Sequence, residues 1–263
     1  MKKSFILIAF FIVQITHLAY ALTNSVPAES TAFNAVVFLK IEAMDSDGSS
    51  VTGFCNGTLI SPVIVVTAAH CLSGSLLNQN VPLQLEVGSY RYRTLPDGKT
   101  IRTGYVSDLK HSSLTQVHFA TGVGFDSKPN QIPPERDFAF IILGEPIPLS
   151  PEFVFPRVWR HSLRGQTLLN PFVVTINPVE YISTSDTKQM ALLNHFTYNG
   201  YSAESKSTSR VAPGDSGAPL FATINNEVYL IGVTKGRAET FFSNWDVFAL
   251  WSERVPAFLF NGQ

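Results

Sequence analysis

The sequence predicts an all-β protein built from two small barrels with a cleft between them. Charged residues make up only 15% of the chain and aromatic residues 12%, and this composition favours strands. Short candidate strands alternate with turns that contain Gly, Pro or Asp, a pattern typical of barrels. A proline-rich linker at residues 144–156 divides these strands into two sets. We therefore expect one barrel on each side of the linker.

The strands of the first set are separated by clear turn signals. Pro62 interrupts an apolar run, and Pro96-Asp97-Gly98 predicts a hairpin turn. The first barrel is expected at about residues 32–143, with candidate strands at 32–41, 54–60, 63–67, 83–88, 101–109 and 138–143.

The second set of strands is followed by a segment in which the apolar residues have a helical spacing. Residues 253–260 have the spacing of a short amphipathic helix, with Pro256 near its first turn. The second barrel is expected at about residues 157–251, with candidate strands at 167–176, 191–198, 219–223, 228–235 and 246–251.

The N-terminus has the features of an export signal. Lys2 and Lys3 precede an apolar run at residues 5–15, and small residues at positions 19–21 mark a cleavage point. The run is too short for a durable membrane span. The sequence therefore predicts a signal peptide at residues 1–21 and a protein secreted to the extracellular space or the periplasm.

Charge and histidine spacing exclude several classes of function. The formal net charge is −1 at pH 7, so no global field argues for nucleic acid or an anionic membrane as a partner. Four histidines lack the spacing of metal ligands and are expected to be surface or core residues: His111, His118, His161 and His195. We expect neither a metal nor a cofactor.

Residues 210–220 contain a candidate nucleophile. They read Arg-Val-Ala-Pro-Gly-Asp-Ser-Gly-Ala-Pro-Leu, which places glycines on both sides of the Asp-Ser pair that ends at Ser216. Glycine lets the backbone adopt conformations closed to other residues and approach a substrate closely. The amides of Gly214 and Ser216 could then point together at a developing oxyanion.

Two further segments offer the groups that a serine nucleophile requires. Thr-Ala-Ala-His-Cys ends at Cys71 and supplies His70 as a base, and Asp137 enters an apolar strand. Asp126, upstream, is the alternative carboxylate, but the alternation that follows Asp137 favours Asp137. The chain order His, Asp, Ser distinguishes this arrangement from that of subtilisin or the α/β-hydrolases.

These three segments resemble the signature segments of the trypsin/chymotrypsin family of serine endopeptidases. The resemblance extends from about residue 22 to the C-terminus, and is loose between about residues 149 and 209. It implies two six-stranded antiparallel Greek-key barrels, an active site in the cleft and a short C-terminal helix. It also implies that His70 and Asp137 come from the first barrel and Ser216 from the second. Protein or peptide substrates and protein inhibitors are the implied partners.

Cys55 and Cys71 are the only cysteines of the chain. In an oxidising compartment they should form one disulfide, worth roughly 3 kcal/mol in the chain-entropy account. In the family, the matching pair brackets the histidine loop. Two free buried thiols are the alternative.

Asp215 has an expected partner at the start of the mature chain. In the family, the matching aspartate pairs with the free amino group of the processed protein. Our hypothesis is that cleavage after Ala21 frees Leu22 for this role without a separate propeptide. The alternative is that Asp215 only caps local amides.

The expected specificity pocket contains mixed charges. Arg210 lies six residues before the nucleophile, and Asp246 matches a second pocket position. Arg210 could favour acidic substrate side chains, the two charges could neutralise one another, or Asp246 could favour Lys or Arg. We favour acidic or neutral side chains. Thr234 or Lys235 replaces the serine that supports the buried aspartate in the family.

The sequence leads to a secreted serine endopeptidase that works through an acyl-enzyme. The competing interpretation is a protease homologue that is catalytically weak or inactive and acts as a binding module, because Ala218, Arg210 and Lys235 depart from the family pattern near the site. An activity restricted to esters is a third interpretation.

Overall fold

The computed structural model describes residues 22, 24–44, 50–73, 83–112, 117–149, 153–176, 188–208, 210–239, 244–251 and 254. The predicted signal peptide at residues 1–21 lies outside this set. So does the predicted C-terminal helix at residues 253–260, apart from Arg254. Both stay predictions.

The described residues form fifteen strands in two antiparallel sheets. The strands are β1 Val26–Pro27, β2 Val36–Met44, β3 Ser50–Ser61, β4 Ile64–Thr67, β5 Leu83–Thr94, β6 Thr100–Ser112, β7 Val117–Phe119, β8 Ala139–Ile142, β9 Leu169–Thr175, β10 Gln189–Leu192, β11 Phe196–Tyr198, β12 Ser202–Ser205, β13 Pro219–Ile224, β14 Glu227–Glu239 and β15 Asn244–Leu250. Short 3-10 helices lie at Thr31–Phe33, Ala69–Cys71, Pro129–Gln131 and Pro134–Arg136.

The first sheet has the strand order β6-β5-β2-β3-β4-β8-β7. Strand β2 of this sheet packs against apolar residues on both faces, and alternate residues of a strand point to opposite sides. Val37, Leu39 and Ile41 lie in a core formed within this half of the chain. Val36 and Phe38 face the other way, into a core shared with the second half.

The second sheet has the order β1-β10-β9-β13-β14-β15-β12-β11. It contributes Phe221 and Trp251 to the shared core, where the Trp251 ring contacts Phe138 and Phe140 of the first half, with centroids 6.5 and 6.4 Å apart. The two halves are therefore joined by a continuous apolar core, which fixes the loops of one half relative to those of the other.

The prediction of an all-β fold with two antiparallel sheets is confirmed. The sheets have seven and eight strands, and not six each, because short strands such as β1, β7 and β12 add to them. These strands have too few residues for a readable alternation. The predicted strand 191–198 is two strands, because the chain turns at His195, which has a φ of 51°.

The predicted disulfide between Cys55 and Cys71 is confirmed. It joins β3 to the 3-10 helix Ala69–Cys71 and so attaches the segment that carries His70 to the centre of the first sheet. None of the helices in the described part of the chain is long and apolar enough to span a membrane.

Candidate active site

His70 and Asp137 are brought together by the pairing of β4 with β8. His70 follows β4 and Asp137 precedes β8, and Thr67 pairs with Ala139 in the antiparallel register. His70 Nδ1 lies 2.8 Å from Asp137 Oδ2, and the backbone amide of His70 donates to Asp137 Oδ1 at 2.8 Å. The carboxylate therefore holds His70 at its ring and at its backbone, whereas the alternative, Asp126, is exposed.

Asp137 is fully buried yet ionised. Burial alone raises the pKa of a carboxyl, but the hydrogen bond from the His70 ring, with the charges of His70 and Lys235, holds the pKa of Asp137 below its ordinary value. A carboxylate in this state can orient an imidazole and stabilise its protonated form.

The loop that carries Ser216 is attached to both halves of the protein. The backbone amide of Asn56, in β3, donates to the Ser216 carbonyl at 2.7 Å. The backbone amide of Gly217 donates to the Thr234 carbonyl at 2.8 Å. The Ser216 hydroxyl donates to the Lys235 carbonyl at 3.4 Å. Ser216 thus lies beside the segment that leads to His70, with its hydroxyl turned towards the backbone of β14. The role of His70 as the base for Ser216 stays a prediction.

Asn56 is the site residue that the sequence motifs do not reveal. Its side-chain amide is completely buried and donates to Gly214 O at 2.7 Å and to Ile176 O at 3.0 Å. Its side-chain oxygen accepts from the Ile176 amide at 2.7 Å. In the sequence, Asn56 is noticeable only as the first residue of an Asn-Gly-Thr glycosylation sequon. Its position directly after Cys55 is the one signal that could have identified it.

Gly217 allows a close approach between the two halves. Its φ is +80°, and a Cβ placed there would overlap with the Asn56 carbonyl oxygen and the Thr67 hydroxyl. Gly98, in the turn between β5 and β6, has nearly the same φ of +83°, but a Cβ at this residue would meet nothing within 4 Å. A comparison of alanine substitutions at the two glycines therefore separates the cost of backbone strain from the cost of steric overlap.

We expect Gly217→Ala to destabilise the protein far more than Gly98→Ala does. Both variants force alanine into the left-handed region, at about 1–2 kcal/mol. Only Gly217→Ala must also separate the nucleophile loop from β3, so we expect a total loss above about 4 kcal/mol and at least about a hundred-fold loss of peptidase activity. Urea unfolding and peptide hydrolysis check this. Equal losses in the two variants would contradict the packing described here.

Asp215 and Leu22 are in contact. The backbone nitrogen of Leu22 donates to Asp215 Oδ2 at 3.0 Å, and the Ala212 amide donates to the same oxygen at 2.8 Å. Asp215 is completely buried. Burial raises its pKa to about 7, although the hydrogen bonds from Ala212 and Leu22 oppose the rise. With an amide as its partner, this carboxylate lacks a compensating positive charge.

A cavity of about 340 Å³ opens beside His70. Its lining combines apolar side chains with Lys235 and Arg237 of β14. Asp246 lies opposite Arg237 in the pairing of β14 with β15 and is completely buried. Burial raises the pKa of Asp246 to about 6, and a hydrogen bond from the Val211 backbone and the charges of Arg210 and Arg237 limit this rise. The charges of two arginines thus act on one carboxyl.

Of the two residues expected to support the buried aspartate, Lys235 contacts it. The ammonium of Lys235 lies 3.0 Å from Asp137 Oδ2. The Thr234 hydroxyl is buried and has no hydrogen-bond partner among the residues that the structure describes. In this protein, a charged group therefore supports Asp137.

Potential metal ligands come together in one group within the described ranges, which consists of Cys55, His70 and Cys71. The two sulfurs are joined in the disulfide. Zinc and similar ions bind cysteine as the thiolate, so these sulfurs do not fit a metal.

Comparisons with known proteins agree with this architecture. A family model described as Trypsin matches residues 23–148. A solved structure of a Glu endopeptidase in complex with MPD shares the fold, with a TM-score of 0.55 and 14% sequence identity. The match covers 89% of this chain and 92% of that chain.

Proposed function

We propose that this chain, whose residues 23–148 match the Trypsin family model, is a secreted serine endopeptidase whose catalytic residues are Ser216, His70 and Asp137. The observation that supports this most is the His70–Asp137 pair, with two contacts of 2.8 Å, beside a loop in which Ser216 is attached to the same half of the protein. An imidazole held by a buried carboxylate next to a serine is the arrangement that nucleophilic acyl transfer requires.

The reaction follows from these positions. His70 takes the proton of the Ser216 hydroxyl as its oxygen attacks the peptide carbonyl, and then returns that proton to the leaving amine. Water then attacks the acyl carbonyl while His70 takes its proton, and His70 returns that proton to the Ser216 oxygen as the bond to the acyl group breaks and the carboxylic acid leaves. The amides of Gly214 and Ser216 donate to the oxyanion that forms at each addition step. Before attack, the Ser216 hydroxyl must rotate from the Lys235 carbonyl towards His70.

Export and maturation are linked in this proposal. Removal of residues 1–21 would turn the Leu22 nitrogen, now an amide 3.0 Å from Asp215, into an ammonium at the same place. The buried carboxylate of Asp215 would then gain the positive charge that it lacks. The same event would fix the segment from Gly214 to Ser216, whose amides are the proposed oxyanion donors. The disulfide is consistent with an exported protein.

The proposed substrates carry an acidic side chain before the scissile bond. Arg210 and Arg237 both act on the single carboxyl of Asp246, so the charges at this part of the cleft sum to +1 when Asp246 is ionised. A positive site favours carboxylates through charge-assisted hydrogen bonds. One protein of the same fold whose structure is solved is a Glu endopeptidase, which agrees with this substrate class.

A binding module is the second candidate function. It is favoured by the Ser216 hydroxyl, which donates to Lys235 and not to His70. Ala218 supports the binding module less than the sequence alone indicates, because its methyl group is completely buried. Its backbone amide donates to the Asp215 carbonyl at 3.0 Å, and its carbonyl accepts from the Thr234 amide at 2.8 Å. The loop accommodates alanine at this position.

The two candidates are separated by a fluorophosphonate probe and a peptide library. We expect the secreted, processed chain to be labelled once, on Ser216, and to cleave the library after Glu or Asp. Mapping of the labelled peptide by mass spectrometry identifies the serine. A processed chain that is neither labelled nor active would contradict the peptidase and support the binding module. Labelling with ester turnover alone would indicate an esterase.

A further inference from the structure

Lys235 contacts the buried carboxylate that orients His70. Its ammonium lies 3.0 Å from Asp137 Oδ2 and 2.6 Å from the carbonyl oxygen of Ile132. Oδ2 is the same oxygen that faces His70 Nδ1 at 2.8 Å. The Lys235 side chain is 22% exposed, so its charge is screened less by solvent than that of a surface lysine.

A bulge in β14 directs Lys235 to this position. Thr234 pairs with Phe248 and Gly236 pairs with Val247, so the register shifts across Lys235 and leaves it as the extra residue. A bulge bends the strand and turns a side chain away from the regular alternation. Gly236, with a φ of 147°, supplies a backbone conformation that other residues rarely adopt. The local backbone is thus shaped to bring a cation to Asp137.

We propose that Lys235 is a positioning residue that keeps Asp137 ionised and sets the pH range in which His70 acts as a base. This inference rests on the proposed peptidase function and assigns a role within the same site. Lys235 acts through Asp137 and does not touch the reacting atoms with its side chain. Its backbone carbonyl, which accepts from the Ser216 hydroxyl, is present in every substituted chain.

One oxygen, Asp137 Oδ2, faces two groups that can carry a positive charge. When His70 is protonated, its ring and Lys235 both face Asp137 Oδ2, so each reduces the stabilisation that the carboxylate gives the other. The other ionisable group that lines the cavity is Arg237, also positive, and it faces Asp246 of β15. Removal of the Lys235 charge therefore stabilises protonated His70, and more alkaline solution is needed to obtain the base.

The test compares pH profiles of neutral and charged substitutions. Lys235→Met and Lys235→Gln remove the charge, and Lys235→Arg keeps it. Lys206→Met removes an exposed positive charge elsewhere and serves as the control. The measurements are kcat/KM for a peptide and the second-order rate of fluorophosphonate inactivation between pH 4 and pH 9. The inactivation rate reports the base without a contribution from peptide binding.

We expect the acidic limb of both profiles to move upwards by about one pH unit in the two neutral variants. The limb of Lys235→Arg and of Lys206→Met should coincide with that of the unsubstituted protein. A purely structural role for Lys235 would lower the rates at every pH and leave the limb in place, and that result would overturn the proposal. An equal shift in Lys235→Arg would overturn it too. If the unsubstituted, processed protein fails to react at any pH, the peptidase function itself fails.

Discussion

Ser216→Ala is expected to lower kcat for peptide hydrolysis on the order of 10⁴-fold or more. The hydroxyl is the only proposed nucleophile, and no neighbouring group can form the acyl-enzyme in its place. Folding should be preserved, because this hydroxyl makes only a long contact of 3.4 Å to the Lys235 carbonyl within the described part of the chain. The unfolding free energy should therefore change by less than about 1 kcal/mol.

A double substitution tests whether Ser216 and His70 work as one unit. We expect His70→Ala and the double variant to be about as inactive as Ser216→Ala, because members of a catalytic unit are strongly non-additive. Ser162→Ala, at an exposed serine, is the matched control and should keep full activity. If the losses of the two single variants multiply in the double variant, the two residues act separately and the proposed mechanism is wrong.

A chain that begins at Leu22 is expected to be about 10² to 10³ times more active than one with a Gly-Gly extension before Leu22. The extension replaces the ammonium with an amide, and loss of one partner from a buried ion pair costs about 3–5 kcal/mol. Asp215 is completely buried, so solvent cannot replace the missing charge. Both chains can be released from fusion proteins, and kcat/KM for one peptide compares them.

Asp215→Asn, introduced into both chains, completes a double-mutant cycle between the N-terminus and the carboxylate. Without the carboxylate, the two N-termini should give the same low activity, because the pair no longer exists to be broken. Sequencing of the naturally secreted protein should find Leu22 first. A start far from Leu22, or equal activity of the two Asp215-containing chains, would exclude Leu22 as the partner.

The same pair predicts that the stability of the two chains depends differently on pH. In the extended chain, the pKa of Asp215 is raised to about 7 when folded, against about 3.9 when unfolded. Below about pH 4 the carboxyl is neutral in both states and has no effect. As the pH rises from about 4 to about 7, the unfolded state ionises first, so the unfolding free energy falls by up to about 4 kcal/mol. Urea unfolding should show this fall in the extended chain and not in the chain that starts at Leu22.

The patterns that can be read along the chain are local ones. Alternating apolar residues predict most strands, and the motifs around His70, Asp137 and Ser216 predict the chemistry, because the geometry of a nucleophile loop requires glycines at fixed offsets. The disulfide follows from there being only two cysteines. These inferences concern neighbouring residues and hardly depend on how the two halves pack.

The remaining features depend on contacts between distant parts of the chain. Leu22 and Asp215 are 193 positions apart, Asn56 and Gly214 are 158 apart, and Lys235 and Asp137 are 98 apart. No local pattern encodes them, since each requires a particular strand register or the bulge in β14. From the sequence, Thr234 and Lys235 are equal candidates for the support of Asp137. The shift in pairing between β14 and β15 selects Lys235, because only the folded sheet decides which side chain turns towards the buried carboxylate.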